Sequence, residues 1–431
     1  MNKIKDLGIV IFFSLAIRFF LPYWNVIFEE KYHFLGTRVP YYFQPDSYSF
    51  YMELRPYLSE WLIYLLPIIS LVIGLVVFYV TLVKLKVKTP VLGTIVLSLF
   101  PTFFSMSYFG YIDTPPYIFL CMAILNYSVI SLLGHYDNGT WKNWYNLIYL
   151  WGIIVIYKVL AIVWNQQGVY MVAFVLFFAV GISLIRIIRY KVLFFFLGCG
   201  FFFWKIYGKM AYFLVYSAYI QELERTNYLL FYFFTALVLF SIIMLILNKR
   251  TMVVEYLSVS FIIYCTLTIL MKRFSYFSII FGVMIIFIAI SKHQLRFMEL
   301  IMWFVLLVSL IHVSFVFQDK VPFMERELQA SLEGLEDREI IGDWGHGHIY
   351  EAFTKGKVTY KAKADIEAYE IWIEALDTGN YILFDDIART DDYYVIITTL
   401  DTDKIYNYSD YFVESSFVRT EDKSMIVLRR K

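Results

Sequence analysis

Three carboxylates lie in stretches that are otherwise aromatic and apolar. They are Asp46 in Gln44-Pro45-Asp46-Ser47-Tyr48, Asp113 in Gly110-Tyr111-Ile112-Asp113-Thr114-Pro115, and Glu222 in Tyr219-Ile220-Gln221-Glu222-Leu223. Each alone fits a plain role. Asp46 and Asp113 sit beside prolines and suit a helix N-cap, and Glu222 suits a solvated loop. Together they fit a chemistry. Acids at a bilayer edge are costly unless they act. Carboxylate oxygens converging at a water–lipid boundary bind hard divalent cations such as Mg2+ or Mn2+. Such an ion neutralises phosphate oxygens and stabilises a departing phosphate. At a membrane edge the matching substrate is a lipid-linked phosphate. A cation for the same phosphates stands in Met271-Lys272-Arg273-Phe274, where Arg273 equally fits a side chain that snorkels to the headgroups.

Membrane helices must position these residues. The 431-residue chain is 60% hydrophobic and 21% aromatic, more apolar surface than a water-soluble globule can hide. Eleven stretches are long and apolar enough to span a bilayer, near 6–23, 61–82, 90–108, 115–134, 145–163, 168–188, 191–208, 228–247, 253–271, 274–291 and 297–317. Basic residues orient them. Lys3 and Lys5, then Lys84, Lys86 and Lys88, then Arg186, Arg189 and Lys191, then Lys249 and Arg250, then Lys292 and Arg296 alternate with the spans. An odd count puts every cluster on one side, the cytoplasmic one. The opposite side of a cell membrane then receives Asp46, Asp113, Glu222, Arg273 and the C-terminal part of the chain. The start, Met1-Asn2-Lys3-Ile4-Lys5, leads into an apolar run without a small-residue cleavage site and reads as a retained first helix.

Charge divides the chain in two. Residues 1–317 carry 23 Lys and Arg against 12 Asp and Glu, and residues 318–431 carry 14 against 24. The expected organisation is a multi-pass α-helical domain over 1–317 and a small, extracytoplasmic α/β domain over 318–431. In the latter, residues 364–379 read as helix, and Tyr381-Ile382-Leu383-Phe384 and Tyr394-Val395-Ile396-Ile397 read as β. Cys121, Cys199 and Cys265 fall inside apolar runs and read as small buried residues. Asp343-Trp344-Gly345-His346-Gly347-His348 fits a strand-to-helix turn whose glycines take positive φ. No motif or charge pattern calls for nucleic acid.

Five stretches, in order, carry a resemblance to a family. Asp46-Ser47-Tyr48 resembles its first-loop aspartate motif, and Gly110-Tyr111-Ile112-Asp113 its second acidic motif. Ile220-Gln221-Glu222 resembles its T-I-x-E loop, Arg273-Phe274 the arginine of a late helix, and Asp343-Trp344-Gly345 the D-Y-G part of its W-W-D-Y-G motif. Trp164-Asn165-Gln166-Gln167-Gly168 is similar to a tryptophan–glycine loop between its middle helices. The chain thus resembles the catalytic subunit of oligosaccharyltransferase, a GT-C glycosyltransferase, in a shortened, archaeal form. The resemblance implies that Asp46 and Asp113 hold Mn2+ or Mg2+, and that Glu222 joins them and positions the acceptor amide. It implies that Arg273 touches the donor or the acceptor, and that Asp343, Trp344 and Gly345 read the hydroxyl of an acceptor Ser or Thr. The donor would be a polyprenyl- or dolichyl-linked oligosaccharide, the acceptor an asparagine of a polypeptide, and the displacement a single inverting one.

The chain departs from the family at three places. Pro115 stands where a further ligating side chain is usual, Ile341-Gly342 stand where paired tryptophans are usual, and Tyr219 replaces a threonine. A second reading therefore keeps the GT-C chemistry but gives it another acceptor, such as a lipid or a cell-surface polymer. A third is a transporter, or a paralogue that binds without turnover. Transport calls for acids or broken helices near the midplane, whereas these acids lie in loops.

Overall fold

The computed structural model describes residues 3–28, 60–104, 115–140, 143–163, 166–185, 190–191, 193–194, 197–198, 228–248, 251–270, 274–318, 335, 339–342, 357–358, 371–372, 374–376, 378–388, 392–399, 412–419 and 424–431. The chain divides into two compact units: one holds most of the helices up to Gln318, and the other holds the strands and short helices beyond it together with the last turn of α1 from Trp24. The helices are α1 (Lys3–Phe28), α2 (Glu60–Lys84), α3 (Pro90–Leu99), α4 (Pro101–Phe104), α5 (Pro115–Asp137), α6 (Asn146–Val163), α7 (Gln166–Leu184), α8 (Tyr228–Asn248), α9 (Met252–Leu270), α10 (Ser275–His293) and α11 (Arg296–Gln318).

Ten of the eleven predicted stretches coincide with these helices, and the other, 191–208, lies largely outside the described residues. One expectation is corrected. The stretch from residue 90 is not one helix, because it breaks between Leu99 and Pro101. Proline disfavours the helical conformation of the residue before it, and Phe100 accordingly turns to φ −56° and ψ 130°.

Among the described residues, five helical segments are long and apolar enough to cross a membrane: Leu65–Lys84, Pro115–Asp137, Asn146–Val163, Leu230–Leu247 and Ser275–His293. The helical unit is also arranged for lipid. It exposes many large apolar side chains, with Phe12 74% and Leu247 77% exposed, while Ser98, Asn126, Ser131 and Ser278 are buried. Water would penalise that arrangement, and hydrocarbon would solvate it. α10 is buried at every position from Ser275 to Ile290, as a helix apolar on all faces must be. It packs against α3, α8, α9 and α11. Gly282 lets α8 come close, since a Cβ there would lie 2.6 Å from Cε1 of Phe234.

The C-terminal unit is built on a five-stranded sheet of order β2-β1-β3-β5-β4. The strands are β1 (Glu339–Gly342), β2 (Lys357–Val358), β3 (Tyr393–Thr399), β4 (Phe412–Arg419) and β5 (Ser424–Arg430). β1 runs parallel to β2 and β3, and β5 runs antiparallel to β3 and β4. The predicted strand at 394–397 is the middle of β3. The run Tyr381-Ile382-Leu383-Phe384 is not a strand, and this expectation is corrected too. Tyr381–Leu383 form a 3-10 turn and Phe384–Ile387 a short helix, α12. Tyr381 and Phe384 are buried while Ile382 is exposed, which is the i, i+3 spacing of a helix rather than strand alternation. Their rings join Trp372, Ile341, Val395 and Leu428 in the core. Beside it, Tyr393 Oη donates to Asp385 Oδ1 at 2.5 Å and Arg430 Nη2 donates to Asp385 Oδ2 at 2.6 Å. Burial first, and the Asp385 carboxylate next, hold the Tyr393 hydroxyl well above its ordinary pKa.

Candidate active site

Asp46, Asp113, Glu222, Arg273, Asp343, Trp344 and Gly345 lie outside the described residues. The described residues give the frame from which these segments depart. In sequence, Asp46 falls between α1 and α2, and Asp113 two residues before α5. Glu222 precedes α8, and Arg273 directly precedes Phe274, the N-cap of α10. Asp343 directly follows Gly342, the last residue of β1.

Within the helical unit, the starts of α5, α8 and α10 and the middle of α1 meet at one corner, the break at Pro101. The ring of Phe103 meets Phe119, near the start of α5, with centroids 4.7 Å apart and planes at 86°. The same ring reaches Tyr276, in the first turn of α10, at 6.5 Å and 76°. Phe100 meets Phe234, in the second turn of α8, at 5.2 Å. The guanidinium of Arg18, on α1, lies over the Phe104 ring at 5.3 Å. Edge-to-face ring pairs of this kind add to the packing that holds helices in register. The starts of the helices that follow Asp113, Glu222 and Arg273 in the chain are thus tied by aromatic contacts, and α1 joins them through Arg18 at mid-helix.

Arg18 is the residue that sequence reasoning missed. It is fully buried. Its Nη1 donates to Ser98 Oγ at 2.9 Å and to the Ser14 carbonyl at 3.2 Å, and its Nη2 donates to the Ser98 carbonyl at 2.8 Å. The signal was available. Arg18 is the one charged residue in Ile11-Phe12-Phe13-Ser14-Leu15-Ala16-Ile17-Arg18-Phe19-Phe20, and an ionisable residue inside a span marks function by default.

Among the described residues, no three His, Cys, Asp or Glu side chains converge on a point. The expected ligands Asp46, Asp113 and Glu222 are outside that set. In the C-terminal unit, β1 lies between β2 and β3, and the chain leaves β1 and β3 toward opposite edges of the sheet. Such a switch point is where open sheets with parallel strands bind ligands, beyond the strands' carboxyl ends. Asp343-Trp344-Gly345 come next in the chain after that end. Ile341, where the family has a tryptophan, is fully buried and sits opposite Val395. Its side chain belongs to the sheet core.

No family model and no curated protein matches the sequence. Solved structures do match the fold. The archaeal oligosaccharyltransferase AglB from Archaeoglobus fulgidus, in complex with an inhibitory peptide and a dolichol-phosphate, aligns with a TM-score of 0.58 and 12% identity over 91% of this chain and 69% of that one. The Archaeoglobus fulgidus oligosaccharyltransferase in its apo form aligns with a TM-score of 0.56, at the same identity and coverage. The chain has an oligosaccharyltransferase-like fold. That fold, reached at 12% identity, covers the helical part and extends into the C-terminal part, since 91% of the chain is included.

Proposed function

We propose that the chain is a membrane-embedded glycosyltransferase that moves a glycan from a polyprenyl or dolichyl (pyro)phosphate carrier to an asparagine of an acceptor polypeptide. The observation that carries this reading is the oligosaccharyltransferase-like fold over 91% of the chain. The ring contacts that tie the starts of α5, α8 and α10 to the Pro101 corner support it. So do the ligands of the similar structure, a dolichol-phosphate and an inhibitory peptide, which are the two chemical classes the sequence motifs call for.

In this reading eleven spans cross the cell membrane and the C-terminal domain faces outward. Asp46, Asp113 and Glu222 offer the carboxylate oxygens for Mn2+ or Mg2+, which when bound supplies charge to offset the leaving phosphate. Glu222 accepts a hydrogen bond from the acceptor amide and turns its nitrogen toward the sugar. Arg273 holds donor phosphate oxygens at the N-terminus of α10, where the helix dipole favours the same negative charge. Asp343, Trp344 and Gly345 read the acceptor hydroxyl. As the C–N bond forms at the anomeric carbon, the bond to phosphate oxygen breaks on the opposite face, the phosphate leaves with the bonding pair and the amide nitrogen gives up one proton to the Glu222 carboxylate that it faces, so the configuration inverts. A second reading keeps the donor chemistry and takes a non-asparagine acceptor. Burial of Ile341 favours it, because the position has no free side chain for reading a peptide.

The test uses the full chain in detergent with dolichyl-linked oligosaccharide, Mn2+ and an Asn-x-Thr peptide, read by the mass of the peptide. Glycopeptide is the expected product, and Asp46→Ala and Asp113→Ala are each expected to slow it about 100-fold or more. Undiminished transfer in both variants sinks the proposed site. Consumption of donor onto a lipid or polymer, with the peptide untouched, selects the second reading.

A further inference from the structure

Arg18 has no part in the chemistry above, yet it is a cation buried in an apolar bundle. Burying a charge costs several kcal/mol unless it is fully engaged, and a leucine or methionine would fill the same space cheaply. The engagement has a specific form. Ser98 is one residue from the end of α3, so its carbonyl is among the last four, which a helix cannot satisfy from its own N–H groups. The chain beyond it offers little help, because Pro101 has no N–H. Arg18 supplies the missing donor from α1, with a second bond to Ser98 Oγ. A cation at a helix C-terminus also offsets the dipole there. The same guanidinium covers the Phe104 ring in α4. Three pieces of chain, α1, the end of α3 and α4, are therefore fixed by one side chain. Phe103, next to Phe104, carries the ring contacts to α5 and α10.

We propose that Arg18 is a positioning residue for glycosyl transfer, locking the α3–α4 corner so that α5 and α10 begin at the spacing the reaction requires. This rests on the glycosyltransferase reading. A planar fork with several donors does the locking, which an ammonium cannot reproduce. The role acts on geometry at the reacting end of the bundle rather than on acceptor binding, so it falls on kcat rather than KM.

The experiment compares Arg18→Met, Arg18→Lys and Ser98→Ala with the native full chain in detergent, by hydrogen exchange and by transfer kinetics. The amides of Phe103 and Phe104, which donate to the Phe100 carbonyl at 2.8 and 2.9 Å, report on the corner. In Arg18→Met they are expected to exchange about 10-fold faster or more while α10 keeps its protection. kcat is expected to fall about 100-fold, with KM for the peptide within about 2-fold of native. Arg18→Lys recovers part of kcat, and Ser98→Ala, which keeps the carbonyl bond, loses about 3–10-fold. Native exchange or native kcat in Arg18→Met overturns the proposal, as does α10 loosening as much as α4. If Arg18→Met does not fold, a native kcat in Ser98→Ala overturns it. Corner exchange that rises in Arg18→Met as expected, while the native chain transfers no glycan to any acceptor, sinks the glycosyltransferase reading and the positioning role with it, and leaves Arg18 as a structural lock alone.

Discussion

Phe103 and Phe119 meet edge to face, 4.7 Å between centroids, across the break that Pro101 makes in what would otherwise be one helix. The contact exists because the break turns α4 away from the axis of α3 and delivers its ring to the start of α5. Phe103→Ala removes this pair and the one with Tyr276, and leaves a cavity in a buried site. The expected loss of stability is about 3–5 kcal/mol, measured as a lowered unfolding midpoint in detergent.

Two glycines should respond oppositely to alanine. At Gly282 a Cβ would lie 2.6 Å from Phe234 Cε1 and 2.9 Å from Val238 Cγ2. Gly282→Ala therefore pushes α8 off α10, at about 1–3 kcal/mol. At Gly134 in α5 a Cβ meets nothing within 4 Å. Gly134→Ala gains helix propensity, about 0.5–1 kcal/mol. Thermal unfolding of the two variants side by side checks both signs.

The Tyr393–Asp385 bond predicts an alkaline weakness in the C-terminal unit. The folded pKa of Tyr393 is raised, so below the unfolded value, about 10, both states keep the proton and the contribution is whole. Above that pH the unfolded chain releases its proton and the folded one does not, so stability falls as pH rises. With tyrosine labelled at Cζ, NMR should show a resonance still in the neutral form above about pH 10 and missing in Tyr393→Phe. A Tyr393 resonance that titrates with the bulk of the tyrosines refutes the coupling.

Orientation can be read by labelling. Lys86 is exposed in the turn between α2 and α3, at φ 59°. In a cysteine-free background, Lys86→Cys should react with a membrane-impermeant maleimide only from the cytoplasmic side. A C-terminal tag should be reached only from outside. Labelling of both from the same side rejects the odd count of spans.

Helix positions were legible because a span is a long, one-component signal: about 20 apolar residues suffice. The finer structure rested on weaker signals. Pro101 interrupts no apolar run, so hydropathy passed through it, although the preference it imposes on Phe100 is local and was there to be read. Tyr381-Ile382-Leu383-Phe384 is too short for period to separate a strand from a turn. The flanking Gly379, at φ 68°, and Asp385 were the better guide. Arg18 was hidden by the averaging that made α1 obvious. Its partners, Ser98 and Phe104, are some 80 residues away in sequence and no local pattern connects them. The acidic trio was read from residue type and from the side of the membrane, and both rest on chain order alone.

Burial of α10 on all faces has a consequence for how the protein is made. Its neighbours α3, α8 and α9 all precede it in the chain, and α11 follows it. They enter the bilayer before α10 exists and must leave its berth unfilled. At translation rates of about 5–20 residues per second, α3 waits roughly 10–40 s for the helix that will cover it. During that wait the faces that end up against Phe277, Phe281 and Phe287 are wetted by lipid tails. The entry of α10 is therefore an exchange, acyl chains out and one aromatic helix in, and the polar side chains Ser275 and Ser278 go in with it.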